Sequence, residues 1–444
     1  MRVSTKSLVV FILLAYIALL SINGVVTVAA YMTTRNILLY KDFFALVVPV
    51  FVLILLYARN PRVTPQCRSV LFFFISMVLC SLIFMLLSMM TGQFDFFRSI
   101  VQFRLELLTF GSFFFAAVLM LFEYEERVEI LNKIIKFYIV CAVINALFAI
   151  AESTLAGALY AVVGFDPGPQ LTEFGKQYGL LLRTVQGQLR AFGLLTGPFS
   201  LSEYLFFALV LSPFVSDKNR KKYIILILVA IVFSTSKTAI IMALLYIMYL
   251  MMRRVLSLRS SLNIVTMVTL VLSLFFYVTT TNYSIYEMIF PEENTYAENS
   301  ILLRTVNIEA VKNDSEYSPF IGAGYAVNGN AVVGDDNSNT VPLDSLYIYM
   351  LSSYGNVGII LLVLVSVVIL SMLYSRTLNG LTASVYLYWM ISLSMNFVYN
   401  NPISNYPGYI FAIIVSILLM SIRKSPQRER AQTSAKLART STTH

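Results

Sequence analysis

Residues 221–254 read KKYIILILVAIVFSTSKTAIIMALLYIMYLMMRR, and the way this stretch is laid in space decides the fold. Two apolar arms flank the polar pentad Ser234-Thr235-Ser236-Lys237-Thr238, and basic residues stand at both ends. Lys and Arg beside a membrane span are retained on the cytoplasmic side, so both ends are expected inside. The chain must then rise and return. Each arm holds roughly 11–15 residues, about 16–22 Å of helix, which is short of the roughly 20 residues that cross the hydrocarbon. The tip with Lys237 is therefore expected below the outer surface, in a polar cavity that can satisfy its irregular backbone. A cation at that depth is a candidate functional group. The competing reading is one long tilted helix with Lys237 snorkelling to the interface, which would break the charge alternation of every span downstream.

Composition agrees with a membrane setting. Of the 444 residues 58% are hydrophobic and only 12% charged, with a mean hydropathy of +0.77. A water-soluble domain is about 25% charged. That excludes a soluble enzyme and a disordered chain. The net charge of +9 is expected to reflect cytoplasmic loops, not nucleic-acid binding. The three cysteines, Cys67, Cys80 and Cys141, form neither a disulfide framework nor a zinc motif. The sole histidine is His444, which leaves no histidine base and no histidine metal site within the membrane body.

Working outward from the hairpin, apolar runs cover residues 8–32, 37–57, 69–90, 105–122, 131–151, 198–215, 223–233, 239–252, 262–280, 357–374, 381–398 and 408–422. The first is read as a span; a cleaved signal has a shorter apolar core, of about 7–15 residues. Most Lys and Arg fall in alternate connections if the N-terminus is inside. The expected fold is thus an all-α polytopic integral membrane protein with about twelve spans and both termini cytoplasmic. Residues 1–425 form the membrane domain, with two long outer loops at 152–197 and 282–356. Residues 426–444 are a basic tail whose polar composition predicts disorder.

The outer side holds few cations: Arg35, Lys41, Arg98, Arg104, Lys176, Arg183, Arg190, Lys237, Arg304 and Lys312. Arginines converging on an outer cavity suit a phosphate ligand through bidentate contacts, and such cations stabilise a departing diphosphate. Pairing with lipid headgroups or with Glu is the alternative. Glu203, inside the span that opens at Pro198, either contacts Arg190, lines the cavity or acts as a structural charge. Asp344 follows Pro342 and opens an apolar helical pattern. It is either an N-cap or a base that accepts a proton from a substrate hydroxyl. Residues 334–339 (GDDNSN) look like an oxygen-rich cation loop but lack calcium-hand spacing, so a solvated loop is expected.

Three sets of residues carry a resemblance to a known family. Residues 190–200 (RAFGLLTGPFS) look like an Arg-x-x-Gly segment opening a span. Residues 233–239 (FSTSKTA) look like a Ser-Arg-Gly/Ala turn with Lys in place of Arg. Arg304, then residues 318–325 (SPFIGAGY), 344–347 (DSLY) and 354–358 (YGNVG), look like a large outer loop. In this order they resemble the O-antigen polymerase/O-antigen ligase superfamily of bacterial membrane glycosyltransferases. The likeness runs from about residue 190 to 358. It implies a GT-C-like membrane glycosyltransferase, without a cofactor or metal, facing the periplasm from the cytoplasmic membrane. It also implies that Arg190 and Arg304, helped by Arg183 and Lys237, hold the pyrophosphate of a polyprenyl-linked oligosaccharide, and that Asp344 orients or deprotonates the attacking hydroxyl. Donor and acceptor are then both lipid-linked, with membrane lipid and a chain-length regulator as further candidate partners. Ligases of this family carry a His in the outer loop just before the Leu-rich helix; here Asp344 stands in that place. A polymerase is the expectation, a ligase the alternative, and a lipid-linked oligosaccharide flippase the alternative of another class.

Overall fold

The structure, a computed structural model, describes residues 5–51, 54, 65–90, 96–119, 122–163, 184–185, 188–215, 218–289, 295–313, 317–328, 345–375, 380–399 and 406–421. Among these the chain is helical, apart from turns and a two-residue hairpin, Thr184–Val185 against Gln188–Leu189. The helices of seven or more residues are α1 (Thr5–Ser21), α2 (Asn23–Met32), α3 (Pro65–Met90), α4 (Phe96–Leu119), α5 (Tyr124–Val163), α6 (Pro198–Leu211), α7 (Arg220–Phe233), α8 (Lys237–Met252), α9 (Leu258–Thr281), α10 (Tyr283–Ile289), α11 (Thr295–Lys312), α12 (Leu346–Tyr374), α13 (Gly380–Tyr399) and α14 (Tyr406–Ser421), with shorter helical turns at Arg35–Leu39, Tyr40–Asp42, Phe43–Val47 and Ser212–Phe214. Local chemistry marks their starts. Pro198 begins α6, where its missing N–H costs nothing. Ser236, Ser257 and Ser345 cap α8, α9 and α12, each side chain accepting a backbone N–H from the first turn.

Four helical stretches are long and apolar enough to cross a membrane: Glu125–Leu155 within α5, α9, α12 and α13. The bent pair α1–α2 makes a fifth if it is counted as one span. Much of their apolar surface faces outward, for example Val363, Leu364, Val367 and Val368 on α12. A water-exposed stripe of that kind would be strongly unfavourable, so the chain is a membrane protein.

The run at 8–32 is not one straight span. It bends by 75° between α1 and α2. The loop before α6 enters that bend: Gly24 N donates to Leu194 O at 2.8 Å, and a Cβ on Gly24 would lie 2.3 Å from Leu195 O. Other boundaries also move. α5 runs on to Val163, so Glu152 lies on a helix and not in a loop. α12 begins at Leu346, well before residue 357. Within the second long loop, Thr295–Lys312 is helical, as α11.

α6 is the central strut. Nearly all of its residues are buried, and it packs on α5, α7, α8, α13 and α14. A helix apolar on every face belongs inside a bundle. A second, smaller core joins Phe84 of α3, Ile308 and Val311 of α11, Tyr325 and the first turns of α12.

The bundle has two distinct ends. At one end, Arg220 donates to Pro213 O, Tyr374 to Asn263, and Phe214 lies against Gly380. Lys218, Lys221, Lys222, Arg253 and Arg254 belong to this end. At the other end stand the start of α6, the α7–α8 tip, the end of α9, α11 and the end of α13. α7 and α8 are 14 and 16 residues long, about 21 and 24 Å, against about 36 Å for α9.

Candidate functional site at the end away from the lysine cluster

The hairpin read in the sequence is two helices broken at Ser234–Ser236, not one long tilted helix. Thr235 adopts φ 49°, a left-handed conformation that a β-branched residue rarely takes. The break releases backbone carbonyls, and Arg190 meets them. Its Nε donates to Thr235 Oγ1 at 3.0 Å and to Ser234 O at 3.4 Å. Its Nη2 donates to Thr235 O at 3.2 Å. The guanidinium also sits over the Phe199 ring, 4.9 Å from its centroid, and the residue is buried. Lys237, the first residue of α8, is exposed. The Arg190 segment and the Lys237 turn, separate in sequence, are therefore one unit.

Glu203 does not have Arg190 among its hydrogen-bond partners here. It takes Tyr388 OH at 2.8 Å, Ser392 Oγ, and Asn396 Nδ2 at 3.0 Å. These donors recur every four residues on one face of α13, so the carboxylate locks α6 to α13. Arg304 reaches the end of that helix. Its Nη2 donates to Tyr399 O at 3.4 Å, and its guanidinium lies 5.3 Å from the Tyr399 ring centroid. Phe199 is one turn from Glu203, and Asn396 about one turn from Tyr399. Arg190 thus packs on the first turn of α6 and Arg304 on the last turn of α13, and Glu203 ties these two helices together. Arg183 and Asp344 lie outside the described residues. The cap role weighed for Asp344 is filled by its neighbour: Ser345 Oγ accepts Ile348 N at 3.2 Å.

Two further motif segments, at residues 318–325 and 354–358, interlock. Gly355 breaks α12 with φ 59° and ψ −157°. Asn356 N then turns to Pro319 O and Val357 N to Phe320 O, while Ser352 O accepts from Ala323 N and Gly324 N. The loop replaces hydrogen bonds that the helix has lost. Neither glycine tolerates a side chain. A Cβ on Gly322 would lie 2.3 Å from Ser352 O, and one on Gly355 would lie 2.5 Å from the Phe320 backbone.

Sequence reasoning missed Glu106. Its buried carboxylate receives Ser81 Oγ at 2.7 Å, Tyr325 OH at 2.9 Å, Tyr354 OH at 2.5 Å, Gln102 Nε2 at 3.3 Å, and Tyr349 OH. These bonds tie the 318–325 loop and the start of α12 to α3 and α4. The available signal was a carboxylate within an apolar run, the same signal that singled out Glu203. Among the described residues no group of three or more His, Cys, Asp or Glu is arranged to hold a metal ion.

Compared with protein-family models, residues 223–363 match Wzy_C, described as O-antigen ligase. The matched stretch covers most of α7, all of α8–α11 and the first part of α12. It includes the hairpin tip, Arg304, the 318–325 loop and Gly355. Arg190, Glu203 and α13 lie outside it and complete its polar end. The match accords with membership of the O-antigen polymerase/ligase superfamily. No curated protein and no solved structure matches the chain.

Proposed function

We propose that the protein is a polysaccharide polymerase of the bacterial cytoplasmic membrane, joining polyprenyl-pyrophosphate-linked repeat units at the outer face. The observation that carries this reading is that Arg190, on the α7–α8 tip, and Arg304, on the end of α13, both stand at the end of the bundle away from Lys218, Lys221 and Lys222, with exposed Lys237 two residues from the Thr235 that Arg190 holds. The lysine cluster marks the inner side, so the arginines face outward. Twelve crossings with both termini inside complete this arrangement. The short α6, α7 and α8 support a recessed floor between longer helices, where a diphosphate meets cations in reduced dielectric.

The reaction follows from those groups. An acceptor hydroxyl attacks the anomeric carbon of the donor, the carbon–oxygen bond to the diphosphate breaks, and the transition state has oxocarbenium character. Lys237 and Arg304 contact the diphosphate oxygens, and buried Arg190 adds fixed positive charge while bracing the turn that presents Lys237. Asp344 takes the hydroxyl proton, and the polyprenyl diphosphate leaves. Charge stabilisation of the leaving group rests on the cations.

A ligase that moves finished polysaccharide to lipid A core is the second reading, favoured by the description of the family model. The test is to supply purified full-length protein with synthetic lipid-pyrophosphate repeat units and, as a competing acceptor, lipid A core. A ladder of longer lipid-linked chains is the expected product. Transfer confined to lipid A core would establish the ligase instead. Loss of the ladder in Arg304→Ala and in Asp344→Asn, with normal membrane insertion, is expected; full activity in both would remove the site assignment.

A further inference from the structure

We infer that Glu152 is a positioning residue for Arg190, an inference that rests on Arg190 belonging to the diphosphate site. Glu152 was expected in a loop; it lies on α5 and is buried. One of its oxygens, Oε2, accepts Phe192 N at 2.9 Å and Gly193 N at 3.0 Å. Two turns earlier on the same helix, Asn145 Oδ1 accepts Leu194 N at 3.0 Å. Asn145 Nδ2 donates to Ser21 O and Cys141 O. Positions seven apart share a helix face, so α5 presents two acceptors to three successive loop amides. Gly193, at φ 59°, turns its N–H alongside that of Phe192, the concave arrangement that favours an anion. Here the anion is internal.

The consequence for Arg190 is direct. It precedes Phe192 by two residues, and its guanidinium must reach the Ser234–Thr235 break. A loop without its acceptors has its amides unsatisfied and its backbone unconstrained, and displacement of a binding group by about 1 Å costs about 100-fold in rate. Both bonds fall on a single oxygen. The carbonyl oxygen of a glutamine can therefore take the same place, whereas alanine offers nothing and aspartate draws the oxygen back by one methylene.

The experiment uses full-length protein in detergent. It measures elongation, with kcat and KM for the lipid-linked donor, and inhibition by inorganic pyrophosphate. Glu152→Ala is expected to raise donor KM and weaken pyrophosphate inhibition in the same sense as Arg190→Ala. Glu152→Gln is expected to restore both to near wild type. Added to Arg190→Ala, Glu152→Ala should weaken pyrophosphate inhibition no further, because the two act as a unit. A full additional loss in the double variant, or equal damage from Gln and Ala, overturns the inference. If Glu152→Ala cannot be recovered as monodisperse protein, Glu152→Asp and Glu152→Gln decide: Asp impaired with Gln intact supports the inference, and the reverse order overturns it. Unchanged pyrophosphate inhibition in Arg190→Ala would remove the diphosphate reading itself. Weakened inhibition in Arg190→Ala with none in Glu152→Ala would remove only the positioning role.

Discussion

Arg190 and Arg304 are held in different ways, and conservative replacements should separate them. Arg190 uses its planar fork on the carbonyl and hydroxyl oxygens of Ser234 and Thr235. An ammonium has no such fork. Arg190→Lys is therefore expected to lower elongation by about 100-fold, the loss typical of one missing charge-stabilising donor. Arg304 rests over the Tyr399 ring, a contact that a lysine can partly keep. Arg304→Lys is expected to lose less activity than Arg304→Ala in the same elongation assay. Glu106 belongs to stability. Glu106→Ala leaves buried hydroxyls of Tyr325, Tyr349 and Tyr354 without their acceptor. A loss of about 3 kcal/mol or more is expected, seen as a lower unfolding temperature in detergent. Arg190, Arg304, Lys237 and Glu203 could be nominated from sequence because charged residues are rare in this chain. Their partners could not, since carbonyls and tyrosines of distant helices carry no sequence mark.

The elements that matter most are broken helices. The α7–α8 break was legible because a polar pentad interrupts an apolar run whose two ends are both basic. The break in α12 was not. Tyr354-Gly355-Asn356-Val357-Gly358 reads equally well as loop or helix, and only the backbone of residues 318–324 shows where the lost hydrogen bonds go. Gly355→Ala places a Cβ against the Phe320 backbone at a positive φ. The expected cost is about 2–3 kcal/mol, with loss of elongation, read by thermal unfolding and the ladder assay. The α1–α2 bend was hidden for a similar reason. Gly24 sits in an apolar run that looks continuous until the loop before α6 occupies its place.

Across the whole molecule, the lysine cluster and the arginine pair mark opposite ends. With Cys67, Cys80 and Cys141 replaced by serine, a cysteine at Arg254 is expected to react with a membrane-impermeant maleimide only after the membrane is opened. One at Lys312 is expected to react from outside in intact cells or spheroplasts, and the opposite pattern would invert the proposed orientation. Both positions are exposed. The membrane class was written in composition: 12% charged residues cannot cover a water-facing surface of this size. Four helices long and apolar enough to cross a membrane, or five with the bent pair, stand among the described residues. Twelve crossings remain part of the proposal.

Composition, hydropathy and charge order determined that this chain lives in a membrane, that it doubles back at Ser234–Thr238, and which rare cations to watch. They do so because a bilayer penalises each polar residue locally, position by position. The tertiary structure alone decided that Arg190 closes the hairpin break, that Glu203 faces α13 instead of Arg190, that Ser345 caps α12, and that Glu106 and Glu152 anchor the two loops. Those outcomes depend on which unsatisfied carbonyl or hydroxyl arrives from another part of the chain, and a linear pattern contains no record of that meeting.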